Sequence, residues 1–155
     1  MDIDKRVVFD GLPALEAAVG REMRSDWLTV TQTMIDEFAR VTRDEQWIHM
    51  DQDRARRESP FGTTVAHGFL TLSLLSGLLG DTVTIAGTRL TVNYGFDRVR
   101  FVSPVPVNAA IRAVFAVERV SRTEDGASLA WNVTVEVRDS PKPALAAVWL
   151  ARLML

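Results

Sequence analysis

Residues 66–80 read Ala66-His67-Gly68-Phe69-Leu70-Thr71-Leu72-Ser73-Leu74-Leu75-Ser76-Gly77-Leu78-Leu79-Gly80. Past His67 the run carries no charge, and only small residues break it. A helix drawn through it is apolar on almost every side, which predicts a buried helix rather than an amphipathic one. It is too short to cross a bilayer, which takes roughly 20 residues. Such a helix needs a wall around it.

The chain beyond it supplies one, because the period then changes from helical to alternating. Residues 88–94 alternate, and Val99-Arg100-Phe101-Val102 carries extended chain towards Pro104 and Pro106. Val107, Ala109, Ile111, Ala113, Phe115 and Val117 fall on one face of a long strand. Leu129, Trp131, Val133, Val135 and Val137 do the same opposite polar neighbours. Glu124-Asp125-Gly126 is the hairpin turn between them, and residues 144–153 form a last strand, apolar on both faces. The expectation is an α+β fold with an antiparallel sheet wrapped around a long central helix.

Upstream, a short helix is expected over residues 12–19 with Gly20 as its stop, and a strand over residues 27–30. Thr31 or Thr33 can cap a helix whose buried stripe is Met34, Phe38 and Val41. Residues 43–49 break that helix. Residues 51–58 read as one or two charged surface turns, and residues 59–64 as a loop punctuated by Pro60 and Gly62. The four tryptophans are assigned to the core, with Trp47 beside the polar stretch that follows Asp44.

Composition narrows the function. A length of 155 residues fits one domain, and 47% hydrophobic with 25% charged residues suits a globular core. A formal charge of -2 argues against nucleic acid as a partner. The absence of cysteine removes disulfides, thiolate metal sites and cysteine nucleophiles together. With two histidines no metal centre is expected. No apolar signal-peptide core follows the charged start, so a cytoplasmic protein with no membrane partner is expected.

Both histidines, His49 and His67, lie within residues 44–80. On the residues alone, Asp44 reads as a helix-end residue and His49 as a half-buried structural histidine. Gly68 reads as a position of close packing, and Leu79 as core. Asp44 and His49 are five apart, so a continuous helix would not align them, whereas a turn could set both on one wall of a cavity.

The stretch Phe38-Ala39-Arg40-Val41-Thr42-Arg43-Asp44-Glu45-Gln46-Trp47-Ile48-His49, with Ala55 six residues on, resembles the motif of the MaoC-like hydratase/dehydratase family. These are hot-dog-fold, (R)-specific enoyl-CoA hydratases. The ending Gln46-Trp47-Ile48-His49 resembles the nodulation-protein-N-like branch. Ser59-Pro60-Phe61-Gly62, Ala66-His67-Gly68-Phe69, Asn93-Tyr94-Gly95 and Pro104-Val105-Pro106-Val107 follow in the matching order.

The resemblance implies one hot-dog domain over residues 1–155, and reversible hydration of trans-2-enoyl thioesters to (3R)-3-hydroxyacyl thioesters. It implies that Asp44 and His49 are the catalytic pair holding one water for syn addition, and that the Gly68 amide is the oxyanion donor. Ser76 and Leu79 would line the acyl pocket. Gln46, Trp47, Gly62 and His67 would surround the substrate, with His67 orienting the loop. The substrate would be a CoA or acyl-carrier-protein thioester, with no resident cofactor, and the chain would form a homodimer with its sheets joined edge to edge.

The general motif runs Gly-Asp-x-Asn-Pro-aliphatic-His. Here Arg43, Gln46 and Trp47 replace its Gly, Asn and Pro, and a glycine at position 43 would relieve backbone strain that Arg43 has to bear. A hot-dog thioesterase is the alternative enzyme, but it commonly needs a carboxylate on or near the central helix, and residues 68–80 contain none. The same lack counts against the fatty-acid-synthesis dehydratases of this fold. A non-catalytic acyl-thioester-binding subunit is the remaining alternative.

Overall fold

The computed structural model describes residues 6–155, so the charged start Met1–Lys5 lies outside the described residues. Strand β1 (Val7–Phe9) leads into the short helix α1 (Gly11–Glu16), followed by β2 (Glu22–Arg24) and β3 (Leu28–Thr29). Helix α2 (Gln32–Thr42) is capped by Thr31, whose hydroxyl accepts from the Met34 N–H at 3.3 Å. Two short helices follow, α3 (Trp47–Met50) and α4 (Gln52–Glu58), the second capped by the Asp51 carboxylate. The central helix α5 (Gly68–Thr82) precedes β4 (Val83–Ile85) and the long strands β5 (Leu90–Phe101), β6 (Ala110–Thr123), β7 (Gly126–Val137) and β8 (Leu145–Met154).

The main sheet has the order β2-β6-β7-β8-β5, all neighbours antiparallel, with β3 pairing the start of β6. Its inner face buries Ile111, Phe115, Leu129, Trp131, Val133, Leu145 and Trp149 against Leu70, Leu75 and Leu78 of α5. This is the sheet wrapped around a central helix expected from the one-sided strands, and the hot-dog fold that the resemblance implies. Among the described residues no helix is long and apolar enough to cross a membrane.

Several expectations need correction. The stripe of α2 is centred on Ile35 and Ala39, with Met34 and Phe38 flanking it and Val41 75% exposed; the buried face lies about one residue round the helix from where spacing placed it. Trp27 is not core. It sits at the surface with the guanidinium groups of Arg112 in β6 and Arg138 just past β7 over its ring at 4.5 and 4.7 Å. The extended pieces around 88–94 and 99–102 are one strand, β5, kept continuous by two register shifts between Asn93 and Arg98. The parallel pair β1–β4 joins segments far apart in sequence and carries no local signal.

Helix α5 runs two residues past Gly80, to Thr82, whose hydroxyl donates back to the Leu78 carbonyl at 2.6 Å. Its burial is one-sided: Phe69 is 65% exposed, and Ser73, Ser76, Gly77 and Gly80 are also open. The sheet covers only one face of a helix that is apolar on nearly all.

Candidate active site

Helix α2 ends at Arg43, which takes left-handed dihedrals (φ 61, ψ 24). That is the conformation glycine adopts without strain, so the chain turns here at a cost. The turn throws Asp44 out at the surface and leads through exposed Gln46 into α3. The Gln46 carbonyl accepts from the His49 N–H at 2.9 Å, which fixes the start of this one-turn helix. Half-buried Trp47 lies under the Arg54 guanidinium at 4.4 Å.

The turn and α3 bring Asp44 and His49 back together, and the start of α5 adds His67. One donor atom from each of the three lies within 4.8 Å of the others, close enough to share one water molecule or enclose one cation. The two imidazoles stack with centroids 3.8 Å apart. The His49 Nδ1 donates to the Val65 carbonyl at 2.6 Å, which leaves its Nε2 with a free lone pair. The His67 Nε2 donates to the Asp44 main-chain carbonyl at 2.8 Å, so His67 ties the Asp44 turn to the head of the central helix. The His67 Nδ1 is buried without a partner.

Burial lowers the His49 pKa from its ordinary 6.5. The Val65 hydrogen bond opposes that, the His67 ring adds to it, and the Asp44 carboxylate opposes it again. The net result is an imidazole that is neutral at neutral pH, as a base needs to be.

Gly68 is the first residue of α5, so its N–H has no acceptor within the helix and stands at the positive end of the dipole. A Cβ at Gly68 would come within 2.9 Å of the Phe101 ring. The missing side chain is therefore what lets Phe101 close over the helix start, beside a cavity of about 220 Å³ that Phe61 and Thr71 also line. Gly62 does not line this cavity. It sits in the adjoining turn with φ 69, its N–H bonded to the Ser59 carbonyl. Ser76 and Leu79 line a separate cavity of about 320 Å³ further along α5.

Sequence reading missed Gln32. Its Nε2 donates to the His49 carbonyl at 2.8 Å and to the Asp36 carboxylate at 2.7 Å, while its Oε1 accepts from the fully buried Thr64 hydroxyl at 2.7 Å. One amide thus fastens α2 to α3 and to the segment that meets His49. Its partners lie 17 and 32 residues away, so no local pattern marks it.

A model of the MaoC-like domain matches residues 14–138. The chain belongs to this family. Family membership makes it an enzyme of the hydratase/dehydratase class. The 3-hydroxyacyl-thioester dehydratase Z of Mycobacterium tuberculosis is 44% identical over 146 residues, covering 93% of this chain and 96% of the relative. Nodulation protein N of Rhizobium meliloti is 43% identical over 143 residues, covering 90% and 89%, in keeping with the branch that the Gln-Trp-Ile-His ending suggested. The solved structure of an Archaeoglobus protein named a monoamine oxidase regulatory protein superposes with a TM-score of 0.77 at 24% identity, covering 96% of this MaoC-like chain and 95% of its own.

Proposed function

We propose that this MaoC-like enzyme adds water reversibly across the double bond of trans-2-enoyl thioesters to give (3R)-3-hydroxyacyl thioesters. The observation that carries the reading is the gathering of Asp44, a neutral His49 and His67 with one ligating atom each within 4.8 Å, beside the Gly68 helix end, with the His49 Nδ1 already engaged by Val65. The 3-hydroxyacyl-thioester dehydratase at 44% identity supports it.

In the hydration direction the Asp44 carboxylate accepts a hydrogen bond from the water and holds it. The His49 Nε2 takes one water proton as the oxygen bonds to C3. The C2–C3 π electrons move towards the thioester carbonyl, whose oxygen gains charge and is met by the Gly68 N–H at the positive end of α5. The proton then passes to C2, so hydroxyl and hydrogen have been added and the enzyme is restored. His67 acts through its bond to the Asp44 carbonyl, as a positioning residue. Ser76 and Leu79 take the acyl chain, and Gln46, Trp47 and Gly62 shape the approach to the pair. A carboxylate, an imidazole and an amide suffice for these steps, so the proposed enzyme needs no resident metal or cofactor.

The proposed working unit is a homodimer. Strand β5 is a long sheet edge, paired to β8 on one side only among the described residues. It exposes Leu90, Val92, Tyr94 and Phe96 next to the bare side of α5 with Phe69. An open apolar edge of this length invites pairing, and a second β5 would cover it.

The direct test follows an enoyl-CoA by its conjugated absorbance together with free thiol. Loss of absorbance without thiol release supports hydration. Thiol release without hydration would replace it with the thioesterase reading. Only one carboxylate lies on α5, Asp81 in its last turn, and it faces Arg6 at 3.7 Å, far from Gly68.

A further inference from the structure

Arg98 and Arg100 lie at the end of β5, just before Phe101, whose ring touches Gly68. Both are exposed. They pair with Val148 and Ala146 of β8, which pair in turn with Asn132 and Thr134 of β7. Residues paired across a ladder point to one side of the sheet, and the alternate pair Val99–Ala147 packs into the core. Both arginines therefore stand on the outer face, and the four neighbours that their register gives them there are uncharged.

No ion pair joins either arginine to a carboxylate among the described residues. Asp97 precedes them at a register shift and does not reach either within ion-pair distance. Glu136, two residues past Thr134, is held by Arg112 at 2.6 Å. From Arg98 to Val117 the chain carries three arginines and no acidic residue, and from Ser140 to Leu155 one lysine, one arginine and no acidic side chain. Around Asp44 the charges balance instead: residues 40–58 hold five arginines and five carboxylates. A chain of net charge -2 thus keeps an unneutralised positive pair on this edge.

The pair adjoins the cavity of about 220 Å³ at Gly68, which opens to solvent where Phe61, Phe101 and Val102 line it, all three exposed. A thioester held at the Gly68 N–H would send its carrier arm out through this mouth. In CoA and in a carrier protein alike, that arm is pantetheine ending in a phosphate ester. Guanidinium forks match phosphate oxygens, and two of them roughly 7 Å apart along a strand can converge on one such group. We propose that Arg98 and Arg100 bind the phosphate of the 4′-phosphopantetheine arm that carries the acyl group. This rests on the reading of the chain as an acyl-thioester enzyme and adds recognition of the carrier to it. Pairing of a second β5 along the edge would use main-chain groups and leave the outer face open.

Isothermal titration of the full-length protein with three non-reacting saturated probes tests it: butyryl-pantetheine, butyryl-4′-phosphopantetheine and butyryl-CoA. The phosphorylated arm is expected to bind about tenfold tighter than the plain one, with a preference that shrinks as salt is raised. Arg98→Gln/Arg100→Gln brings the ratio close to one, while Arg119→Gln, at an exposed arginine of β6, leaves it in place. Equal affinity for the CoA and phosphopantetheine probes supports recognition of the phosphate that CoA and a carrier protein share; tighter binding of the CoA probe, lost in the double variant, extends the same site to the further phosphates of CoA. Equal binding with and without phosphate overturns the proposal. So does a preference that survives the double substitution, or no measurable binding of either phosphorylated probe. If the double variant fails to fold, the single Arg98→Gln and Arg100→Gln variants decide. Hydration of crotonyl-pantetheine, which carries no phosphate, is measured separately. Its absence would strike the proposed reaction, while the binding ratio still judges the arginine pair.

Discussion

Replacing Gln32 with leucine removes an amide that serves three partners in different segments. The Thr64 hydroxyl, fully buried, loses its acceptor, and the His49 carbonyl loses its donor, while Asp36 can turn to water. Stranding a buried hydroxyl costs ~1–3 kcal/mol and losing one ordinary hydrogen bond ~1 kcal/mol, so a destabilisation of about 2–3 kcal/mol is expected. For a chain of this size that lowers Tm by roughly 5–10 °C. The double variant Gln32→Leu/Thr64→Val removes the stranded hydroxyl as well, so it should recover ~1 kcal/mol relative to the sum of the single changes. Urea unfolding of the four proteins measures the cycle, and kcat for enoyl-CoA hydration should fall in Gln32→Leu because the His49 loop loses its tie. A cost below about 0.5 kcal/mol for Gln32→Leu, a range typical of surface changes, would refute the network as the holder of the site.

Because burial lowers the His49 pKa, the acid limb of kcat/KM should have its midpoint below 6.5, and a limb above that value would remove His49 as the base. Linkage gives the same residue a stability signature: above 6.5 it contributes nothing, and as pH falls below 6.5 the unfolded chain takes up a proton that the fold resists, so stability declines until the folded pKa is passed. Arg43→Gly relieves left-handed strain and should raise stability by about 0.5–1 kcal/mol in urea unfolding; a loss would mean that the arginine side chain outweighs the backbone term. Gly68→Ala presses a methyl against the Phe101 ring and should cut kcat roughly tenfold or more through the displaced oxyanion donor, with partial recovery in Gly68→Ala/Phe101→Leu. Dialysis against EDTA should leave hydration unchanged, and a loss restored by zinc would make the Asp44–His49–His67 group a metal centre instead.

What was legible in the sequence was whatever repeats over short distances. The alternation of Ile111, Ala113, Phe115 and Val117 gave β6 its inner face, and Gly126 closing the hairpin gave the β6–β7 turn. Arg43 was suspect because a glycine belongs at that place in the motif, and its left-handed dihedrals bear out that suspicion. Long-range matters were not legible. Gln32 acts across 17 and 32 residues, and β1 finds β4 across the whole front half of the chain. The exposure of Phe69 was hidden for another reason. An apolar helix face looks the same in sequence whether its own sheet covers it or leaves it bare.

The proposed homodimer rests on that bare face and the β5 edge. Sedimentation equilibrium should give twice the 17.2 kDa chain mass, and Val92→Lys on the edge should shift it towards one chain; a single-chain mass for the unmodified protein would contradict the pairing.

The central claim is that Asp44 and a neutral His49 activate one water against an enoyl thioester. Its most direct test is the rate of crotonyl-CoA hydration, with chiral analysis of the product, for the unmodified protein, Asp44→Asn and His49→Ala. The account predicts (3R)-3-hydroxybutyryl-CoA from the unmodified protein and a fall of about a hundredfold or more in kcat for each folded variant. Unmodified rates in either variant, or a (3S) product, would contradict it.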